Sequence, residues 1–495
     1  MTALTFHCPT IAGDDAVHHT DAAAGNIDAA TRAIRVLDDA LSGTADVERI
    51  LLKAAAGAGK SYALKRMVAH VLRHKACSRV AVVAFANKQI YPLAESLGSL
   101  LGRKRVCLLV ANDRFDEVPD ATKVTATVVT GSNAVPASAE VVVATSHKVG
   151  GWAIGQLRNH LGNATNGARV FDVLFVDEAW QLPLHRYREI ERLAPITVGV
   201  GDVGQLPPLD PGQNPWRGDR GYNPYRAWPT SYENDRKTWS IELPAVWRPN
   251  AAQLPLWRSF YSDWDQLHCV AAPGDRSVIA KGLRGVTAEV WKQVGTGVPT
   301  LVEVDGLPDP EAADIDVPLL GVVEEWLDQL FTRGFSLHER RYDDTGLPTD
   351  WITLEASDPR DHTLIALLAT RNQAVDDATD MVDRLIAKHD LPDGVVTAST
   401  VDSWQGQTNA ITVAIHPLSG ASQLDEFNSA FGRLAVTCTR ATHGLLIVSR
   451  AGLTKLLTDA PARPGTPLGE PGTRRLPRQT HQRILETFAR ATYAA

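Results

Sequence analysis

The sequence predicts an α/β protein with two parallel sheets, each flanked by helices. Short apolar runs, typical of strands buried on both faces, alternate with helical or loop segments, and this pattern occurs twice along the chain. The first set lies at residues 79–86, 139–145, 173–178 and 196–202, and the second at 363–370, 395–404, 410–416 and 444–449. With 495 residues the chain is also long enough for more than one core, because a typical domain has about 150 residues.

The elements that precede and connect these strands can be taken in order. Residues 26–44 place apolar side chains at helical spacing and end at a Ser-Gly break, which predicts an amphipathic helix. A strand at 50–52 then leads through a loop of small residues into a helix that begins near Lys60. The stretch 210–239 is rich in Pro, Gly and aromatic residues and predicts a long irregular loop, while 460–478 predicts a linker before a last short helix.

The composition is that of an ordinary folded protein, with 44% apolar and 22% charged residues. No apolar segment approaches the roughly 18 residues that span a bilayer, so we expect a cytoplasmic protein with no membrane contact. The five cysteines are scattered without a CxxC pair, which argues against a zinc module or a disulfide framework, and we expect them to be buried. A net charge of -7 counts against a uniformly basic nucleic-acid surface but permits a local basic channel.

A loop of small residues follows the strand at 50–52. From Ala54 to Ser61 it matches the phosphate loop GxxxxGK[ST], with Ala in place of the first Gly, and such loops bind phosphates through backbone N–H groups. We expect Lys60 to bridge the β- and γ-phosphates of ATP and Ser61 to hold Mg²⁺. The residues expected to contact the nucleotide here are Ala56, Gly57, Ala58, Gly59, Lys60, Ser61 and Tyr62. The alternative interpretation is a Gly/Ala-rich turn before a helix.

An acidic pair, Asp177 and Glu178, directly follows the apolar run 173–176. The pair therefore stands at the carboxyl end of a predicted strand, the edge at which parallel sheets bind ligands. Asp177 suits the Mg²⁺ shell, and Glu178 suits a general base that deprotonates the attacking water. Taken alone, an acidic pair after a strand is more often a helix N-cap. Together with the phosphate loop, it predicts a site that hydrolyses ATP.

Two motifs of the first half carry a family resemblance. Asp177–Gln181 resembles the DEAxQ form of motif II of superfamily 1 helicases, and Gly201–Pro208 resembles their motif III, GDxxQLPP. Motif III is similar to that of the 5′-to-3′ branch that includes the nonsense-mediated-decay helicases. The resemblance implies two RecA-like P-loop domains and implies that Gln205 contacts the γ-phosphate.

Motifs of the second half extend this resemblance. Thr400–Gln407 resembles motif V, with Gln407 where the family usually has Glu, and Ala369–Gln373 resembles motif IV. Val436–Ala441 resembles motif VI. We expect Gly406, within motif V, to contact the nucleotide.

Two arginines are candidates for stabilising the transition state. Motif VI implies that Arg440 is an arginine finger that reaches the γ-phosphate from across a cleft. Leu243–Pro249 resembles a further family element, which makes Arg248 a second finger. Two guanidinium groups facing one phosphate would stabilise its developing charge. By itself, Arg248 is equally consistent with a surface ion pair.

Polar and aromatic residues at the ends of predicted strands are candidates for binding a single strand. In the first half they resemble motif Ia and the threonine-bearing motif that follows it. Hydroxyl, amide and Lys donors bind phosphates without reading sequence, and an aromatic ring stacks on bases. The expected nucleic-acid contacts are Phe85, Asn87, Lys88, Thr145, Ser146, His147, Thr400, Asp402 and Gln405. Each, in isolation, is more often part of an ordinary loop.

The predicted loop 210–239 interleaves aromatic residues with arginines. These residues are Trp216, Tyr222, Tyr225 and Trp228, with Arg217, Arg220 and Arg226. This composition fits a surface that stacks on bases and binds phosphates, and it fits a packed interface equally well.

The expected organisation is a first RecA-like domain at 1–245, a second at 246–460 with an insertion at about 265–360, and a linker with a C-terminal helix at 461–495. We expect ATP and Mg²⁺ between the domains of a monomeric motor that moves 5′-to-3′ on single-stranded nucleic acid, with DNA favoured over RNA. The 210–239 loop and the C-terminal tail are candidate sites for a protein partner.

The alternative class is an ATPase switch or remodelling factor that acts on a protein partner without unwinding, which the net acidity favours. A phosphate-loop kinase explains less, because it gives no reason for the distant motif VI.

Overall fold

The computed structural model describes residues 4–11, 17–165, 167–204, 208, 214–216, 219, 221–261, 264, 266–312, 315–358, 363–425, 428–460 and 477–495. Among these residues, no helix is long and apolar enough to cross a membrane. Four of the cysteines are buried as predicted, whereas the prediction is wrong for Cys8, which is exposed.

The first half of the chain forms a parallel sheet of eight strands in the described residues. They are β1 (Arg49–Ala54), β2 (Val80–Ala84), β3 (Val106–Leu109), β4 (Thr127–Val129), β5 (Val141–Thr145), β6 (Val173–Asp177), β7 (Ile196–Asp202) and β8 (Thr238–Glu242). Their order across the sheet is β4-β3-β5-β2-β6-β7-β1-β8. Every residue of β2, β5 and β6 is buried, which is the pattern of a parallel sheet covered on both faces.

Helices cover both faces of this first sheet. They are α1 (His19–Leu41), α2 (Lys60–Val71), α3 (Asn87–Leu101), α4 (Asp120–Thr125), α5 (Ser146–Val149), α6 (Trp152–Leu161) and α7 (Leu184–Ile190). Successive residues of β1 point to opposite faces. Ile50 and Leu52 pack in the same core as α1, α2 and α3, whereas Leu51 packs with α5, α6 and α7.

The second half contains another parallel sheet, with the order β16-β15-β17-β18-β12-β19. The strands in the described residues of this half are β9 (Ala245–Val246), β10 (His268–Cys269), β11 (Arg276–Ala280), β12 (Thr300–Asp305), β13 (Phe335–Tyr342), β14 (Pro348–Glu355), β15 (Thr363–Ala369), β16 (Val396–Thr400), β17 (Asn409–Ile415), β18 (Ala441–Arg450) and β19 (Ala489–Ala494). Strands β9 and β10 form a short parallel pair, and β11, β13 and β14 form an antiparallel sheet.

The helices of the second half complete its layers. They are α8 (Leu254–Phe260), α9 (Gly285–Gly295), α10 (Val317–Arg333), α11 (Asn372–His389), α12 (Phe431–Cys438), α13 (Leu453–Asp459) and α14 (Pro477–Leu485). The side chains of α9, α10 and α11 share one core with β12, β15 and β17. The predicted fold class, α/β with two parallel sheets flanked by helices, is confirmed.

Three segments differ from the sequence prediction. The stretch 265–360, predicted as an insertion, contains β12, which lies between β18 and β19 in the second sheet. The predicted C-terminal helix ends at Leu485 and is followed by β19, because the last residues pair with β12 from Thr300 to Asp305. The predicted loop 210–239 gives way at Thr238 to β8, an edge strand paired with β1.

Candidate functional site

The loop between β1 and α2 has the shape of a phosphate cradle. Gly57 and Gly59 have φ of 72° and 88°, a left-handed backbone that glycine adopts without a Cβ clash. A Cβ on Gly57 would collide with the Cβ of Arg248, so the loop lies directly against that residue. The N–H of Trp247 also donates to the Gly57 carbonyl at 2.7 Å. The loop is therefore held by the segment around Arg248, in addition to its own strand and helix.

Lys60, the first residue of α2, lies in a cluster of acidic side chains. Its Nζ is 2.8 Å from Glu178 Oε1 and 3.9 Å from Asp202 Oδ2. Glu178 has φ of 48°, an uncommon value for a residue with a side chain. Such strained backbone is found often at functional sites, and here it follows the end of β6.

Asp177 is buried beside Glu178. Its Oδ1 has no hydrogen-bond partner in the part of the chain that the structure describes. Burial, and then the neighbouring Glu178 carboxylate, raise the pKa of Asp177 to about 7. A buried carboxylate oxygen without a partner is suited to a cation, because positive charge would offset the cost of burial.

The oxygen donors at this place fit Mg²⁺. Besides Asp177, the loop supplies the hydroxyl of Ser61, which is exposed at the start of α2. Among the described residues, no group of three or more His, Cys, Asp or Glu side chains could hold a metal ion by itself. One carboxylate and one hydroxyl suit Mg²⁺, which usually keeps waters and substrate phosphates as its other ligands.

Asp202 and Tyr261 link the loop to the second half of the chain. Tyr261 Oη donates to Asp202 Oδ1 at 2.8 Å and accepts the N–H of Ala56 at 2.9 Å. Trp257 Nε1 donates to the Ala56 carbonyl at 3.1 Å. Burial raises the pKa of Asp202, and the charge of Lys60 opposes this. These bonds occupy both backbone polar groups of Ala56.

Two arginines lie close to the same carboxylates. Arg440 is 1% exposed, and its Nη2 has no hydrogen-bond partner among the described residues. Burial lowers its pKa, and the charges of Asp202 and Glu178 oppose this. Arg248 Nη1 donates to the Thr439 carbonyl at 3.0 Å. Burial lowers the pKa of Arg248, and the positive charge of Arg440 lowers it further. Both guanidinium groups stay charged at neutral pH.

The position of Arg440 depends on backbone carbonyls. Its Nε donates to the Val436 carbonyl at 3.2 Å, and its Nη1 donates to the Gln407 carbonyl at 3.4 Å. The side chain of Gln407 is exposed. The departure from Glu at this position therefore leaves the support of Arg440 intact. Gly406 lies in the same exposed turn with φ of 86°.

A cavity of about 290 Å³ opens beside the phosphate loop. Its walls include Ala58, Tyr62 and Trp247, with Tyr342 from the antiparallel sheet. Asn26 also lines the cavity, but both polar atoms of its amide are bonded to backbone groups. Its Nδ2 donates to the carbonyls of Ala58 and Ala245, and its Oδ1 accepts the N–H of Ala245, each at 2.9 Å. The walls are mainly apolar and aromatic, and the charged residues Arg66, Asp343 and Asp344 also line the cavity.

The candidate strand-binding residues of the first half lie at one sheet edge. Strands β2 and β5 are neighbours in register, with Ala84 opposite Thr145, so the residues after both strands meet. The rings of Phe85 and His147 are 5.6 Å apart. Burial and the charge of Arg186 lower the pKa of His147.

The side chains at this edge differ in accessibility. The hydroxyl of Thr145 accepts the Lys148 N–H at 3.3 Å and caps α5. Ser146 is 1% exposed. Asn87 is half-buried, while Lys88 and His147 are exposed.

The motif V residues lie after β16 in the second sheet. Thr400 accepts the N–H of Ser403 at 3.1 Å, and exposed Asp402 pairs with Arg433 at 3.3 Å. Gln405 is half-buried. Because Ala369 pairs with Thr400, this turn also lies at the carboxyl edge of its sheet.

The aromatic residues predicted in the 210–239 loop have different environments. Trp228 is fully buried and stacks on Tyr187 at 4.0 Å, so it belongs to the core of the first sheet and not to a binding surface. Trp216 is 38% exposed, and the centroids of its ring and the Tyr222 ring are 6.0 Å apart. Arg226 donates to the Ser231 hydroxyl and the Gly221 carbonyl. Arg217 and Arg220 lie outside the described residues.

The first half of the chain has a recognisable sequence signature. Residues 38–211 match the family model of the AAA domain. This match spans less than half of the chain and includes the phosphate loop and the acidic pair. No curated protein matches the chain.

Several solved structures match the chain at low sequence identity and with TM-scores below 0.5. The PRRSV helicase is 13% identical, with 86% of this chain and 58% of that chain covered and a TM-score of 0.37. The Arterivirus nonstructural protein 10 (helicase), in a complex with DNA, is 15% identical, with coverage of 82% and 63% and a TM-score of 0.39. The Pyrococcus furiosus Hef helicase domain is 11% identical, with coverage of 85% and 95% and a TM-score of 0.34. The chain spans about three fifths of the length of the two viral chains.

The structure brings Lys60, Glu178, Arg248 and Arg440 into one cluster, with Asp177 next to it. Gln205, expected at the γ-phosphate, lies outside the described residues. Four further residues at the site, for which the sequence predicts no role, are Asp202, Tyr261, Trp257 and Asn26. The GD pair of motif III is a sequence signal for Asp202, whereas the other three make bonds between distant segments that no local pattern indicates.

Proposed function

We propose that this chain is an ATP-dependent helicase or translocase of superfamily 1 that couples ATP hydrolysis to movement on single-stranded nucleic acid. One observation carries the proposal. Arg440 belongs to the second half of the chain, and the carboxylates of Glu178 and Asp202 belong to the first half. Arg440 is close enough to both carboxylates for their charges to affect its pKa. Lys60 lies between the same two carboxylates. A site assembled from two halves responds to any change in their relative position.

Each residue of the cluster has a role in hydrolysis. Lys60 binds the β- and γ-phosphates while loop N–H groups hold their oxygens. The N–H of Ala56 is not one of them, because it donates to Tyr261. Glu178 orients the attacking water and accepts its proton. Asp177 and Ser61 would hold Mg²⁺, which would neutralise charge at the phosphates. The side chains of Arg248 and Arg440 stabilise the negative charge of the transition state.

The nucleotide base occupies the cavity beside the loop. Tyr62 and Trp247 supply aromatic surface for it, and Arg66, Asp343 and Asp344 supply polar groups within a mainly apolar wall, a combination typical of ligand pockets. The amide of Asn26 holds two backbone segments together and is not available to the base.

Hydrolysis is coupled to the strand through the two sheets. The residues after β2 and β5 and the turn after β16 stand at the carboxyl edges of their sheets. Opening and closing of the cleft would shift one edge relative to the other along a bound strand. The residue pattern of motif III supports 5′-to-3′ polarity, and DNA is the first substrate to test.

The ATPase rate with and without single-stranded DNA or RNA tests this function. We expect a single strand to raise the rate several-fold and the effect to weaken with salt, because phosphate contacts release counterions. An ATPase that no strand affects would favour the alternative, a switch acting on a protein partner. Duplexes with 5′ or 3′ tails then establish polarity and unwinding.

A further inference from the structure

Trp152, the first residue of α6, is 86% exposed, which makes it the most exposed of the large hydrophobic side chains in the described residues. A single exposed apolar side chain is common on protein surfaces. Trp152, however, follows His147 of the candidate strand-binding edge by only five residues, and its indole ring offers a flat face for stacking. The helix itself is anchored elsewhere, through buried Leu157 and partly buried Ile154.

The backbone in front of Trp152 is fixed. Gly151 has φ of 58° and ψ of −118°, a conformation suited to glycine, and its N–H donates to the Glu189 carbonyl at 3.2 Å. A Cβ on Gly150 would lie 2.8 Å from the Ser146 carbonyl oxygen, so the two glycines allow α5 and α6 to join closely. At the other end of α6, the ring of His160 bonds to the Val135 carbonyl at 2.8 Å. Trp152 therefore projects from a rigid support a few residues beyond β5.

The segment that carries Trp152 is cationic in sequence, and Glu189, which packs against Gly150, is paired with Arg186 at 2.9 Å. Residues 141–171 contain no Asp or Glu, although the chain has 57 acidic residues and a net charge of -7. The same segment contains Lys148, Arg158 and Arg169. The segment is therefore a locally cationic stretch in an acidic protein.

We propose that Trp152 stacks on a nucleobase of the single strand bound at the edge formed by Phe85 and His147. This proposal rests on the proposed function and adds a base contact that no motif of the sequence indicates. Base stacking on an aromatic ring is tolerant of sequence, which suits a protein that moves along a strand. The neighbouring cations would contact the phosphates on either side.

The surroundings of Trp152 favour a base over a protein surface. The exposed residues of α6 beside it are small, polar or charged, including Gln156, Arg158 and Asn159. A stable protein interface buries about 800 Å² on each partner, with apolar residues at its centre. A single ring among polar groups fits a flat, small ligand instead.

Binding of two probes tests the proposal: oligothymidylate and an abasic oligomer of the same length. Wild-type protein should prefer the base-containing strand by about tenfold or more, since stacking acts only on bases. Trp152→Ala should lose most of this preference, and Trp152→Phe should keep part of it. The matched control is Trp351→Ala, since Trp351 is 54% exposed but lies on β14 over Arg340.

The outcomes separate this proposal from the proposed function. If Trp152→Ala keeps the wild-type preference for bases, or if wild type binds both oligomers equally, the stacking role is wrong while strand binding stands. If wild-type protein binds neither oligomer and its ATPase rate responds to neither, the stacking role of Trp152 and the proposed helicase function are both wrong. Unchanged unfolding temperatures for the Trp152 variants would confirm that their effect is on binding.

Discussion

The Nζ of Lys60 lies 2.8 Å from Oε1 of Glu178, so the phosphate-binding cation and the proposed general base form an ion pair. Both side chains are 12% exposed. A triphosphate that binds Lys60 competes with this carboxylate, and Glu178 is then released toward the water that it activates. The ion pair would thus keep the carboxylate of Glu178, the proposed general base, bound to Lys60 until the nucleotide binds.

Lys60→Ala tests the phosphate-binding role. We expect the ATPase rate to fall by about 10²-fold or more, because the cation that stabilises the phosphates is lost. Circular dichroism should show an unchanged fold. Lys75→Ala is the matched control, because Lys75 is exposed just beyond α2 and should leave the rate unchanged. A Lys60 variant with wild-type ATPase would refute the role.

Glu178→Gln separates chemistry from binding. Gln keeps the size of the side chain but cannot accept the proton of water, so we expect turnover to fall by about 10²–10⁴-fold. Nucleotide affinity, measured by calorimetry, should be equal or higher, because the nearer of the two carboxylates that compete for Lys60 has lost its charge while Asp202 remains. Weaker nucleotide binding with retained turnover would show that Glu178 supports the loop and is not the base.

Tyr261→Phe tests the link between the two halves. Its hydroxyl bonds to both Asp202 and the N–H of Ala56, and removing it leaves two buried polar groups without that partner. We expect a loss of about 1–3 kcal/mol in the free energy of unfolding and weaker nucleotide binding. Tyr91→Phe is the control, because the buried Tyr91 hydroxyl has no partner among the described residues. Equal effects of the two variants would contradict the proposed link.

Arg440→Lys tests the arginine finger. Lysine keeps the positive charge but loses the planar fork that can contact two phosphate oxygens. We expect kcat to fall by up to about 10³-fold with a smaller change in KM, because the contact strengthens in the transition state. Arg433→Lys, on the helix that ends two residues before Arg440 and paired with Asp402, should leave kcat near the wild-type value. A change confined to KM would argue against the finger.

Two buried histidines predict acid sensitivity of the second half. Burial lowers the pKa of His416 to about 3 and of His481 to about 4. The unfolded chain, with histidine pKa values of about 6.5, binds more protons than the folded chain below that pH, so stability falls as pH drops from about 6.5 toward 4. Each histidine contributes a slope of up to roughly 1.4 kcal/mol per pH unit.

Urea unfolding between pH 7.5 and pH 5 measures this slope. His481→Gln should flatten it, while a His7→Gln control, at an exposed position, should not. Identical slopes in all three proteins would show that the buried histidines do not determine acid stability.

The sequence predicted the parts of the site that depend on local pattern. A loop of small residues after an apolar strand indicates a phosphate cradle, and Asp177 and Glu178 follow a strand whose carboxyl end is readable from its apolar run. Long-range contacts were not predictable in this way. The bonds of Tyr261 to Ala56 and of Asn26 to Ala245 join segments about 200 residues apart.

The second half was harder to predict because its strands are less regular in sequence. Strand β12 lies in a region of mixed composition, and the small residues of β19 also fit an amphipathic helix. Both become strands because they pair with each other, and β12 also pairs with β18. The pairing between strands therefore determines the structure of β12 and β19, because the local propensity of these segments does not specify a strand.

The central claim, that hydrolysis at this site drives movement along a strand, is tested most directly by stopped-flow translocation. Single-stranded oligomers of increasing length carry a fluorophore at the 5′ or the 3′ end, and ATP starts the reaction. We predict that arrival at the 3′ end takes longer in proportion to length, and that Glu178→Gln abolishes this signal. A wild-type protein that hydrolyses ATP on the strand but shows no length-dependent arrival at either end would contradict the claim.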